Sequence, residues 1–150
     1  MKRAVFPGSF DPITIGHLDI VNRGLKVFDE IIIGIGENTD KKYMFSSDQR
    51  AEYVKTVFKK NNNVTVKTYS GLTVDFCKKN NSNFLIRGLR NPSDFEFEKS
   101  IALTNRKISD IETVFFLTSV ENSYISSSIV RELIRNNGDY QLFIPKGITF

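Results

Sequence analysis

Apolar residues recur along this chain in two different rhythms. Short dense runs, rich in β-branched and aromatic residues, lie at Ala4–Phe6, Ile31–Ile35, Val64–Tyr69, Phe84–Ile86 and Val114–Leu117, and these read as strands. The segments between them read as helices. In the first, Leu18, Val21, Leu25 and Phe28 recur at three- and four-residue spacing and make one buried face. The second opens at Ser46, where Ser46 and Gln49 match a capping box, and continues through Tyr53, Val54, Val57 and Phe58. A shorter helix covers Val74–Lys79. A fourth opens at Ser93-Asp94-Phe95-Glu96, a second capping-box match, and extends to about Arg106. The last covers Ser127–Asn136, with Gly138 just beyond as a stop signal.

Strand and helix alternating in this way predict the α/β class. The expected architecture is a Rossmann-like, doubly wound, five-stranded parallel sheet with helices on both faces, built as one domain over residues 1–150. The runs Ile31-Ile32-Ile33 and Val114-Phe115-Phe116-Leu117 are continuous rather than alternating, which predicts central strands covered on both sides. Ligands of such sheets bind beyond the carboxyl ends of the strands. The loops to inspect are therefore Pro7–Ile13, Gly36–Phe45, Ser70–Thr73, Arg87–Ser93 and Thr118–Ser126.

Composition narrows the classes of function. With 40% hydrophobic and 25% charged residues, the chain has the balance of a folded water-soluble domain. No apolar run spans a bilayer, and Pro7-Gly8-Ser9 interrupts any secretory h-region after Lys2-Arg3, so a cytoplasmic protein without a membrane partner is expected. The single cysteine, Cys77, excludes an internal disulfide and lies among apolar neighbours, which reads as a buried structural thiol. The net charge of +4 suits either nucleic acid or small polyanions. Its lysines and arginines are dispersed, and the 13 phenylalanines fall mostly at core-like positions, which argues against a nucleic-acid surface.

Three segments at predicted strand ends could carry chemistry. Phe6-Pro7-Gly8-Ser9-Phe10-Asp11-Pro12-Ile13-Thr14-Ile15-Gly16-His17 joins the first strand to the first helix, where free backbone N–H groups and the helix dipole favour an anion. It holds the only histidine. A lone histidine is ordinarily a polar surface residue, but this context points His17 to phosphate chemistry. Arg87-Gly88-Leu89-Arg90 places two guanidinium groups at the fourth strand end, suited to phosphate or to surface ion pairs. Ser126-Ser127-Ser128 opens the last helix; one serine caps it and the others can donate to phosphate. By composition alone Lys41-Lys42 reads as solvated surface, and the helix dipole alone explains Asp94–Glu98. One histidine and one cysteine make neither a zinc cluster nor a catalytic triad.

Taken together, Phe6–His17, Lys41-Lys42-Tyr43-Met44-Phe45, Leu85–Arg90, Asp94–Glu98 and Ile125–Ser128 resemble the nucleotidylyltransferase superfamily, and within it the bacterial phosphopantetheine adenylyltransferases. The resemblance covers nearly the whole chain. It implies transfer of the adenylyl group of ATP to 4′-phosphopantetheine; a cytidylyltransferase acting on a small phosphorylated alcohol is the alternative. It implies His17, Lys41 and Arg90 as the catalytic set. Ser9, Phe10, His17, Gly88, Leu89, Arg90, Glu98, Asn122, Ser123, Tyr124, Ile125, Ser126, Ser127 and Ser128 would contact ATP. Ser9, Lys41, Thr73 and Arg87 would contact phosphopantetheine. Mg²⁺ would be bound mainly through the ATP phosphates, without a metal site on the protein, and the assembly would be a homohexamer. Two positions depart from the family pattern: Asn122, where an aromatic is common, and Thr73, where a larger apolar residue is common.

Overall fold

A computed structural model describes residues 1–150. Five strands form one parallel sheet: β1 (Arg3–Gly8), β2 (Glu30–Glu37), β3 (Val64–Ser70), β4 (Phe84–Leu89) and β5 (Glu112–Leu117), in the order β3-β2-β1-β4-β5. The helices between and after them are α1 (Ile15–Gly24), α2 (Ser47–Phe58), α3 (Thr73–Lys79), α4 (Pro92–Ser109) and α5 (Ser127–Arg135). Strand order reverses between β1 and β4, so the carboxyl ends of these two strands flank the switch point where ligands of this architecture bind.

Neighbouring residues of each strand belong to opposite faces, as the period of two requires. Ala4, Phe6, Ile31, Ile33, Ile35 and Ile86 join the larger core with Ile20 and Val21 of α1, Val54 and Phe58 of α2, and Val130 of α5. Val5, Ile32 and Leu85 face the other way, onto Val74, Phe76 and Cys77 of α3. Helices therefore cover both faces, as expected, but unequally. Cys77 is fully buried, and burial pushes its thiol up to about 12, in keeping with a packing role.

The structure corrects several boundaries. β1, β2 and β4 run on to Gly8, Glu37 and Leu89, so Pro7, Gly36, Arg87 and Gly88 are strand residues rather than loop residues. β5 is an edge strand, not a central one, and Leu117 is 70% exposed. Val114 and Phe116 of its continuous apolar run pack against the larger core, Phe115 meets Phe95 of α4, and only Leu117 at the strand end is left in the open. α2 has the expected capping box between Ser46 and Gln49. α4 starts two residues earlier than the Ser93 match, because the Asn91 side chain accepts the Asp94 N–H and Pro92 occupies the first turn, where its missing N–H costs nothing. It continues past Arg106 to Ser109 and stops at Asp110, which takes the left-handed conformation (φ 56°).

α4 is built inside out. Asp94, Glu98, Ala102, Asn105 and Ser109, spaced three and four apart, are with Lys99 its residues short of full exposure, and only Glu98 is buried. Phe97, Leu103 and Ile108 are 68%, 50% and 57% exposed. Mostly polar and small residues thus face the sheet, apart from Phe95, which meets Phe115 edge-on, and Ile101, and the core beneath α4 is left unfilled. The chain closes with Phe150, whose ring packs on Phe45, Tyr53 and Tyr140, and whose backbone pairs with the Tyr140 hydroxyl.

Candidate active site

The loop after β1 is shaped by aromatic packing. Phe10 adopts a left-handed backbone (φ 48°), unfavourable for a residue with a Cβ. Its ring is buried edge-on against Phe6 and 4.8 Å from the His17 ring. A Cβ on Gly8 would lie 2.9 Å from that ring, so the close approach requires glycine.

His17 is more deeply integrated than a helix-start residue at a ligand edge would suggest. It is the third residue of α1 and completes a capping box with Thr14. The Thr14 backbone N–H donates to His17 Nδ1 at 3.0 Å. An N–H can only donate, so Nδ1 carries no proton, and the neutral ring keeps its proton on Nε2. Burial lowers the His17 pKa to about 4, with Arg87 and then Arg90 adding repulsion. The ring thus stands at the site as a neutral donor.

Two cavities meet here. One, about 300 Å³, is lined by Ser9, Phe10, His17, Lys41, Arg87, Gly88, Arg90, Asn122, Ile125, Ser127, Ser128 and Arg131, among others. No carboxylate lines it. The second, about 380 Å³, occupies the unfilled space under α4, where Leu85 and Thr113 of the sheet face Ile101, Ala102 and Asn105; Tyr69, Thr73 and Glu98 also border it. Pro7, Gly8, Ser9, Lys41 and Arg87 line both, so these five residues form the junction. There the Lys41 ammonium, exposed as composition suggests, donates to Ser9 Oγ at 3.0 Å and so stands at the edge of both cavities.

The remaining expected residues fall into distinct places. Arg87 reaches across the sheet edge: its Nη1 donates to Pro7 O at 2.7 Å, and its Nε and Nη2 make a fork onto Glu98 at 2.9 and 2.5 Å. Glu98 therefore borders the cavity under α4, with its carboxylate engaged by Arg87, and does not line the His17 cavity. Asp94 fixes Arg90 by accepting from both its backbone N–H and its Nε, each at 3.1 Å. The Thr73 hydroxyl bonds Tyr69 Oη at 2.9 Å. Ser126 caps α5, and Ser127 Oγ donates to Pro12 O at 2.8 Å, tying α5 to the first loop. Leu89, Ser123, Tyr124 and Ser126 line neither cavity; Leu89 is buried, and Ser123 Oγ donates to Val120 O. The sequence reading missed Asn105, Thr113 and Arg131. Only the topology that brings α4 over β5 and α5 against the first loop gathers them.

Comparison with known proteins bears directly on this geometry. A family model described as cytidylyltransferase-like matches residues 5–133. A phosphopantetheine adenylyltransferase of Flavobacterium psychrophilum is 57% identical over 148 residues, covering 99% of this chain and 98% of the relative. The chain belongs to the phosphopantetheine adenylyltransferase family. A second family member, from Lachnoclostridium phytofermentans, is 50% identical over 99% of this chain and 91% of its own. In fold alone, the chain is similar to a bifunctional NMN adenylyltransferase/ADP ribose pyrophosphatase from Francisella tularensis, with a TM-score of 0.77 at 14% identity; it is matched over 98% of its length and spans 46% of that longer chain.

Proposed function

We propose that the protein transfers the adenylyl group of ATP to 4′-phosphopantetheine, giving dephospho-coenzyme A and pyrophosphate. The observation that carries this reading is the pair of cavities joined at Ser9, Lys41 and Arg87. The cavity with His17, Arg90 and the α5 serines suits a nucleotide triphosphate. The cavity under α4 suits a narrow amide-bearing arm, with Asn105 as a polar contact. The cations at the junction suit the acceptor phosphate.

The incoming phosphate attacks the α-phosphorus of ATP in line, and pyrophosphate leaves. A phosphate monoester has a second pKa of about 6 and is largely ionised at neutral pH, so no general base is needed. The protein contributes position and charge. His17 donates Nε2–H to the α-phosphate, Lys41 and Arg90 offset developing negative charge, and Arg87 with Ser9 orients the acceptor. Mg²⁺, carried by the nucleotide, would offset phosphate charge beside Lys41 and Arg90. A cavity of arginines, lysine and hydroxyls fits a metal held by the nucleotide and water rather than by carboxylates.

We further infer a cytoplasmic location and a homohexameric assembly in which the apolar outer side of α4 is covered. No helix is long and apolar enough to cross a membrane. The decisive assay combines protein, ATP, Mg²⁺ and 4′-phosphopantetheine and follows pyrophosphate and dephospho-coenzyme A. Absence of both products from folded protein overturns the reading, and preference for CTP over ATP moves it to the cytidylyltransferase alternative.

A further inference from the structure

Arg50 is among the most deeply buried side chains of the protein, 1% exposed, yet no carboxylate lies within ion-pair distance of it. An unpaired guanidinium so far from water is costly unless hydrogen bonds offset its desolvation. Here Nε, Nη1 and one flat face are used on segments that converge on the active site. Nη1 donates to Ser9 O at 2.7 Å and to Gly36 O at 3.1 Å, and Nε donates to Phe45 O at 3.2 Å. The Tyr43 ring roofs the guanidinium, with its centroid 4.0 Å from the Arg50 carbon. Tyr43 Oη in turn accepts the Asn38 N–H at 3.0 Å. Both ends of the segment 36–45 are therefore pinned on one side chain, together with the loop that carries Ser9. Lys41 sits at the middle of that segment, with its ammonium on Ser9 Oγ.

We infer that Arg50 is a positioning residue for adenylyl transfer: it holds the Lys41 segment and the Ser9 loop in register at the junction of the two cavities. The inference rests on the reading of the site given above. Lysine cannot reproduce it, because one ammonium lacks the planar fork that reaches three carbonyls and stacks on Tyr43. Displacement of a positioned group by about 1 Å costs about 10²-fold in rate, so an effect of that order is expected.

The experiment is a double-mutant cycle with Arg50→Lys and Lys41→Ala, measured with ATP and 4′-phosphopantetheine. Arg50→Lys is expected to lower kcat by about 10–100-fold, with KM for ATP unchanged within about threefold. Arg50→Lys is expected to cost less once Lys41 is already alanine, because the Lys41 ammonium set on Ser9 Oγ is the main group it positions. A purely structural role would instead reduce the active fraction alike in both backgrounds, so multiplicative effects overturn the inference. Unchanged kcat in the single variant also overturns it. If Arg50→Lys does not fold by circular dichroism, Tyr43→Leu takes its place in the cycle, since it removes the roof and leaves the three donated bonds; the same coupling is required of it. An inactive wild-type protein would instead count against the reaction itself.

Discussion

At the scale of single residues, His17 shows what a side chain's surroundings add to its identity. Its position beside a Gly/Ser loop was legible in the sequence; its protonation was not, because that depends first on burial of the ring in the folded site and then on Arg87 and Arg90 arriving from a distant strand end. As the only histidine, it can be followed alone by NMR. The free protein is expected to titrate near pH 4 rather than the ordinary 6.5, and ATP, which brings negative charge, is expected to raise the midpoint. A midpoint near 6.5 without ATP would contradict the described environment. The sign for stability follows. The folded pKa is depressed, so the contribution of the neutral ring is present above pH 6.5 and is lost as pH falls through 4. His17→Ala is expected to lower kcat by about 10²–10³-fold. It should also cost roughly 1 kcal/mol of stability, because the Thr14 N–H loses its acceptor; thermal melts measure that loss. Thr113 behaves in the opposite way. Its hydroxyl is buried and unpartnered in the free protein, so Thr113→Val should leave stability unchanged or slightly higher. Lower stability of the variant in denaturant titration would show that the hydroxyl serves packing.

At the scale of elements, legibility depended on whether the signal was local. The Ser46–Gln49 box was found correctly because both partners lie within one turn. The start of α4 was misplaced because two overlapping cap signals exist, and the rigid φ of Pro92 favours Asn91. Apolar contact between α4 and the sheet is sparse, with Phe95 meeting Phe115 edge-on, and a polar pair adds to it. Glu98, its one buried residue, forks onto Arg87 of β4, whose Nη1 also grips Pro7 of β1. Sequence patterning could not show this, because the pair spans eleven residues and depends on the crossover from β4 to α4. Glu98→Gln keeps the shape and removes the charge. It is expected to destabilise the protein by about 1–3 kcal/mol, since Arg87 stays half-buried without its counter-charge. It should also alter KM for phosphopantetheine more than KM for ATP, because Glu98 borders only the cavity under α4. Denaturant titration and steady-state kinetics test the two parts separately. Equal shifts in both KM values would place Glu98 on the nucleotide instead.

At the scale of the whole molecule, the unequal cores explain both the site and the surface. The fold class and strand number follow from alternation alone, because a parallel sheet needs a crossover after every strand. The inversion of α4 does not, since a helix with polar residues turned inward reads from sequence as one turned the other way. Its polar side roofs the cavity that suits the acceptor, which leaves Phe97, Leu103 and Ile108 in water together with edge residue Leu117. Burying one such side chain is worth about 1.5–3 kcal/mol, so a partner surface covering several of them gains enough to hold an assembly together. The expected species in sedimentation is therefore a multiple of the 17.2 kDa chain, six copies by the proposal above. The pair Phe97→Glu and Leu103→Glu should dissociate it, by placing charges where desolvation must occur. Because α4 roofs the acceptor cavity, the dissociated protein should lose affinity for phosphopantetheine before it loses affinity for ATP. A wild-type protein that sediments as a single 17.2 kDa chain, or a double variant that keeps the wild-type mass, would show that this side of α4 is left to solvent.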